Sequence, residues 1–148
     1  MSPVRGKGCI DMRERLENVR AGWTHKAVIH SAEYGRMKLF VTVNRFPDGR
    51  MGEVFITCDA SGSTLDGFCD AWSTAISMLL QHGETIDDLV RKFGYGEFEP
   101  KGMTESAEVR YAKSVPDYVI RWMKGMQGEA ATGAVAATEP ATEPKGLA

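Results

Sequence analysis

The chain has 148 residues and a net charge of −2, with 43% hydrophobic and 26% charged residues, the proportions of an ordinary globular domain. No window approaches 18 consecutive apolar residues, which excludes a membrane-spanning helix. Glu129, Glu139, Glu143 and Lys145 account for the whole net charge, so the body before them is formally neutral and offers no general electrostatic case for binding nucleic acid.

The opening segment, MSPVRGKGCIDMRERLENVR, is basic but has no apolar stretch, so it does not read as a secretory signal. Three cysteines (Cys9, Cys58, Cys69) and no CxxC argue against a disulfide framework or a zinc ribbon and suit a reducing cytoplasm. Residues 1–22 read as an N-terminal arm. Within it, Asp11–Arg20 fits a short helix with Met12, Leu16 and Val19 on one side, and equally an extended segment.

Trp23–Ala32 is predicted as a strand with Ala27 and Ile29 facing one way, Val28 and His30 the other. Met37–Asn44 is a second strand, with Leu39, Val41 and Val43 opposite Phe40 and Thr42. Pro47 and Gly49 then predict a hairpin turn with a bulge. The chain returns through Glu53–Asp59, with Val54, Ile56 and Cys58 on one face.

Ser61–Thr64 closes the strands and opens a long helix. Ser63 or Thr64 is placed to cap it and Asp66 sits in its first turn. Leu65, Phe68, Trp72, Ile76, Leu79 and Leu80 form the expected apolar stripe, with small Ala71, Ser73, Ala75 and Ser77 beside it. Gly83 stops that helix. Thr85 caps a second one, which buries Ile86, Leu89, Val90 and Phe93 and ends at Gly94. Gly94–Glu105 reads as a loop that exposes Tyr95 and Phe98. Ser114 and Asp117 form a capping box for a third helix, with an earlier start near Ser106 as the alternative. Its apolar face is Val115, Tyr118, Val119, Trp122, Met123 and Met126. From Gly128 the sequence is Ala/Thr/Glu/Pro-rich, without large apolar residues, and reads as a disordered tail over 128–148. The expected architecture is a two-layer α+β domain over residues 23–127. It has an antiparallel sheet of three or more strands and helices packed on one face.

The stretch GEVFITCDASGSTLDGFCDAWSTAISMLLQHG, residues 52–83, resembles the TSCPD domain found near the C-terminus of adenosylcobalamin-dependent (class II) ribonucleotide reductases. Matching segments run in the family's order. They include Thr24-His-Lys26, the hairpin from Val41 to Thr57, Gly62-Ser-Thr64, Ala75-Ile-Ser through Gly83, Phe98-Glu-Pro100, and Ala112-Lys-Ser114 through Trp122. The resemblance covers roughly residues 13 to 124. The string Thr-Ser-Cys-Pro-Asp that names the domain is absent, and Ser114-Val-Pro-Asp117 only approximates it. The family's catalytic barrel and its Cys-rich tail have no counterpart here. The resemblance therefore implies a fold and an association with deoxyribonucleotide synthesis, with no catalytic residue in this chain. It also implies that adenosylcobalamin belongs to the full-length family, with no cofactor expected in this chain.

Two constellations stand out as candidate ligand sites. Ser61, Gly62, Ser63 and Thr64 combine free amides, hydroxyls and a helix N-terminus, which suits a phosphate, although Asp59 and Asp66 oppose one and a plain helix cap is the simpler reading. Thr24, His25 and Lys26, with Arg36 or Arg45, form a polar group at a strand start that suits an anion, the alternative being a solvated strand end. Cys58 and Cys69 read as packed small hydrophobes rather than a redox pair, because they lack CxxC spacing. No metal site is expected: His25 and His30 face opposite ways, and His82 suits a helix C-terminus.

Three functions are compatible with these residues. The first is an accessory or regulatory subunit that binds a class II ribonucleotide reductase catalytic chain and is not itself catalytic. The second is a stand-alone nucleotide-binding sensor or sequestering protein. The third is an oligomerising module that pairs with a second copy. All three place the chain in the cytoplasm.

Overall fold

The computed structural model describes residues 12–59 and 62–132, with side chains as far as Gln127. The elements run β1 (Gly22–Ser31), β2 (Gly35–Arg45), β3 (Met51–Cys58), α1 (Thr64–Gln81), α2 (Ile86–Phe93), β4 (Gly102–Thr104), β5 (Tyr111–Ala112) and α3 (Val115–Thr132). One curled antiparallel sheet takes the order β3-β2-β1-β4-β5. The helices cover its inner face, so the domain is α+β with two layers.

Strand alternation sets that inner face. Ala27 and Ile29 of β1, Leu39, Val41 and Val43 of β2, and Val54, Ile56 and Cys58 of β3 all enter the core. Truncating one of them, Leu39→Ala for example, removes a fully buried side chain and costs about 2–5 kcal/mol. The β2–β3 hairpin carries the expected irregularity, a register shift between Asn44 and Arg45. At its tip Gly49 takes φ +98, a conformation open to glycine at little cost.

Helix α1 lies along β3, the outermost long strand, but not on the stripe that periodicity alone predicts. Cys69, Ser73, Ile76, Ser77 and Leu80 are its buried residues. Leu65 and Trp72 pack at the margin of the core, and Phe68 and Leu79 remain exposed. The reason is the closeness of helix to strand. Ser77 Oγ accepts from the Val54 amide at 2.9 Å and donates to the Val54 carbonyl at 3.1 Å. Gln81 Nε2 donates to the Gly52 carbonyl. Contacts this tight favour small side chains on the facing row, and the bulky ones flank it.

Three further boundaries differ from those read in the sequence. The segment expected as a loop contains β4, and β5 occupies the stretch near the alternative helix start, so α3 begins after Ser114. Strands of three and two residues are too short to show a period of two. Gly102 makes the β1–β4 approach possible, since a Cβ there would lie 1.9 Å from the His30 carbonyl oxygen. Helix α3 also buries Ile120, outside the predicted face, and an unbroken run from Val115 to Ile120 is inside. It packs against α2 as well as the sheet. Its backbone continues through Thr132, beyond the position where the tail was expected to begin, and the remaining tail lies outside the described residues. Of the two arm conformations, the described part is irregular and not an α-helix. Leu16 nonetheless reaches Gly52, and the Glu14 amide donates to the Gln81 carbonyl. No helix among the described residues is long and apolar enough to cross a membrane.

Candidate functional site

At the turn before α1, Ser61 lies outside the described residues, but Gly62, Ser63 and Thr64 are placed. Ser63 is the N-cap, and its hydroxyl accepts from the Asp66 amide at 3.1 Å. The Asp66 carboxylate reaches back to the Gly62 amide at 2.9 Å. An amide that an incoming phosphate would use is thus already held by a carboxylate, which also repels an anion. Thr64 is exposed in the first turn of the helix.

The Thr24–His25–Lys26 group is divided by the pleat of β1. Thr24 and Lys26 are exposed on the outer face, where the Thr24 hydroxyl meets that of Thr42 at 3.3 Å. His25 turns inward toward α3. It stacks on Trp122 with ring centres 4.6 Å apart and hydrogen-bonds the Tyr118 hydroxyl at 2.7 Å. Burial lowers the pKa of His25, with the Glu108 carboxylate opposing, and burial raises that of Tyr118. A neutral imidazole seated between aromatic rings is a packing and hydrogen-bonding element. Neither arginine joins these residues in one site. Arg36 lies at the far end of the β1–β2 pair beside Glu105, and Arg45 sits on the inner face over the Trp23 ring at 4.5 Å.

A cleft of about 760 Å³ opens elsewhere, between the hairpin tip, the arm, the end of α1 and the start of α2. Arg20, Arg45, Phe46, Arg50 and Thr85 are among its walls. Its cations are largely answered within the fold. Arg20 bonds Glu53 at 2.7 Å, and Arg50 bonds both Asp48 at 2.8 Å and Glu14 at 3.0 Å. Arg45 adds a guanidinium stacked on Trp23. Sequence reasoning missed this cleft because its residues come from four separate segments.

A second cluster surrounds the start of α3. Ser114 Oγ accepts from the Asp117 amide and donates to the Gly96 carbonyl at 2.7 Å. The fully buried Asp117 carboxylate accepts from the amides of Tyr95 and Lys113 and from two nitrogens of Arg121. Burial alone would push this carboxyl up. The hydrogen bonds from Arg121, Lys113 and Tyr95 outweigh it and hold the pKa below the usual carboxylate range. Tyr95 itself adopts φ +67, costly for a residue with a Cβ. Its amide bond to Asp117 and the Arg121 guanidinium 4.7 Å from its ring fix it there. The ring stays exposed, as does that of Phe98, which meets Phe68 edge-on at 5.9 Å.

Cys58 and Cys69 are both buried and free, with their sulfurs 3.5 Å apart. The hydrogen bond between them draws the Cys58 thiol below its ordinary pKa. The same bond, burial and nearby carboxylates push Cys69 up. The expectation of two separately packed thiols overlooked this proximity. A cysteine ending a core-facing strand, followed by another on the returning helix after a tight turn, was the available signal. Among the described residues no group of three or more His, Cys, Asp or Glu is placed to hold a metal ion.

Comparison with known proteins places this geometry. The family model for the TSCPD domain matches residues 13–127. A vitamin B12-dependent ribonucleotide reductase from Rhodopirellula baltica is 42% identical over 111 residues, covering 75% of this chain and 10% of that protein. Reductases of the same name from Streptomyces avermitilis, at 41% identity, and Streptantibioticus cattleyicolor, at 40%, are each covered over 74% of this chain and over 11% and 18% of their own lengths. The chain thus spans only a small part of the curated relatives it matches. No solved structure matches. The match runs from the arm through the sheet and helices to the end of the described side chains, and the chain belongs to the TSCPD domain family.

Proposed function

We propose that this chain is an accessory or regulatory unit of ribonucleotide reduction, working with a B12-dependent catalytic chain and reducing nothing by itself. The observation that carries the reading is the match of 111 residues at 42% identity inside a much larger reductase. The exposed rings of Phe68, Tyr95 and Phe98 supply a contact surface, with Tyr95 held rigid by Asp117 and Arg121. Adenosylcobalamin belongs to the catalytic chain in this reading. The cleft of about 760 Å³ has the size of sites for drug-sized ligands.

Gel filtration of the purified chain with a B12-dependent reductase catalytic chain tests the reading. Co-elution is the expected result, reduced by Phe98→Ala. Separate elution at micromolar concentrations, or conversion of ribonucleotides by this chain alone, overturns it.

A second reading, a nucleotide-binding protein, draws on the cleft, where Phe46 offers a ring and Arg50 a guanidinium stacked 4.5 Å from it. A nucleotide that binds the folded chain raises its Tm, by an amount that grows with the logarithm of ligand concentration once that exceeds Kd. That rise, abolished by Arg50→Ala, supports the second reading. A flat response across a panel of nucleoside mono-, di- and triphosphates removes it.

A further inference from the structure

The two thiols brought together by β3 and α1 have no part in the function proposed above. Cys58 is the last residue of β3 and Cys69 lies in the second turn of α1. Their sulfurs are 3.5 Å apart, and the side chains belong to the same buried cluster. Both supporting elements are anchored close by. The Ser63 hydroxyl fixes the first turn of α1, and Ser77 ties the helix to Val54 of the strand. Forming an S–S bond of about 2.05 Å asks the sulfurs to approach by roughly 1.5 Å.

We infer that Cys58 and Cys69 form a reversible intramolecular disulfide on reaction with a peroxide, covalently joining the end of β3 to the start of α1. Cys58, 6% exposed against 0% for Cys69, is the first to react. Its sulfur attacks one oxygen of hydrogen peroxide and the O–O bond breaks. The thiol proton leaves with the departing oxygen as water, and Cys58 becomes a sulfenic acid. The Cys69 sulfur then attacks the Cys58 sulfur. The S–O bond breaks, the S–S bond forms, and the released hydroxide takes the Cys69 proton as a second water. The two sulfurs give up two electrons, and both peroxide oxygens end as water. A small dithiol reverses the change by thiol–disulfide exchange, returning two electrons and two protons. The inference stands independently of any reductase partner.

The test uses the full chain with Cys9→Ser, so that only the buried pair can react. After treatment with hydrogen peroxide the folded protein is denatured, alkylated with N-ethylmaleimide and weighed intact. The expected product is lighter by 2 Da, carries no alkyl group, and recovers two alkylation sites after dithiothreitol. Peptide mapping places the bond between Cys58 and Cys69. In the same background Cys69→Ala is expected to stop at a sulfenic acid on Cys58 that dimedone traps. Two free thiols after peroxide, oxygen addition without loss of 2 Da, or a bond that forms only in urea overturns the inference. Each of these outcomes is read on the Cys9→Ser protein even if the Cys69→Ala variant does not fold.

Discussion

The starts of α1 and α3 obey the same local rule and carry different weight. Ser63 and Asp66 cap the first, Ser114 and Asp117 the second. In both, the serine hydroxyl accepts from the aspartate amide at 3.1 Å, and the aspartate accepts from the amide just before the cap at 2.9 Å. At α1 the exposed turn asks no more of the carboxylate than its bond to the Gly62 amide. At α3 the carboxylate is fully buried and also holds the Tyr95 amide and a two-pronged Arg121. One motif only begins a helix. The other joins a helix, a loop in a left-handed conformation and a charged neighbour. The pattern of residues dictates the cap, and burial decides how much depends on it.

Substitution should separate the two. Asp117→Ala removes the buried member of an ion pair whose Arg121 side reaches solvent and leaves the Tyr95 and Lys113 amides without their acceptor; it is expected to cost about 3 kcal/mol by urea unfolding, whereas Asp66→Ala should cost about 1 kcal/mol. Equal losses would break the contrast. Stability should also fall in acid on account of Asp117. Its folded pKa lies below the unfolded value, so its contribution is complete above about pH 4 and is lost as pH drops through the folded pKa. Unfolding midpoints measured from pH 6 downward should decline less steeply in Asp117→Asn than in the wild type. Next in size, Ser114→Ala should cost about 2 kcal/mol and Ser63→Ala about 1 kcal/mol, because Ser114 also donates to Gly96. Asp66→Asn, which keeps an acceptor, should change stability by about 0.3 kcal/mol. A loss near that of Asp117→Ala would show that the α1 cap bears tertiary load as well.

Much of the fold was legible because its signals are local. Alternation in Leu39–Val43, the Pro47/Gly49 turn, the two serine caps and Gly83 each act within a few residues. What escaped depends on distance. The buried row of α1 is chosen by Val54, more than twenty positions earlier in the chain, and β4 exists because β1 offers it a partner. The candidate sites show the same division. Thr24, His25 and Lys26 are adjacent in sequence, and the pleat sends the histidine to the opposite face from the other two. Cys58 and Cys69 look unrelated by motif, yet the strand–turn–helix path closes them to 3.5 Å. The cleft is assembled from runs of residues far apart in the sequence, around Arg20, Phe46 and Thr85, so no single window could reveal it.

The hydroxyl of Ser77 has a consequence beyond packing. The outermost strand of a sheet is normally adhesive, since its unpaired amides and carbonyls invite another chain to add on. At Val54 both groups are already taken by one serine side chain, which stands in for the missing strand. A second copy arriving along β3 meets a helix there instead of open backbone, so sheet-to-sheet growth is refused at that position. Ser77→Ala removes this hydroxyl and little else, leaves the Val54 amide and carbonyl unanswered, and should make the strand more adhesive, with aggregation on storage as the visible outcome.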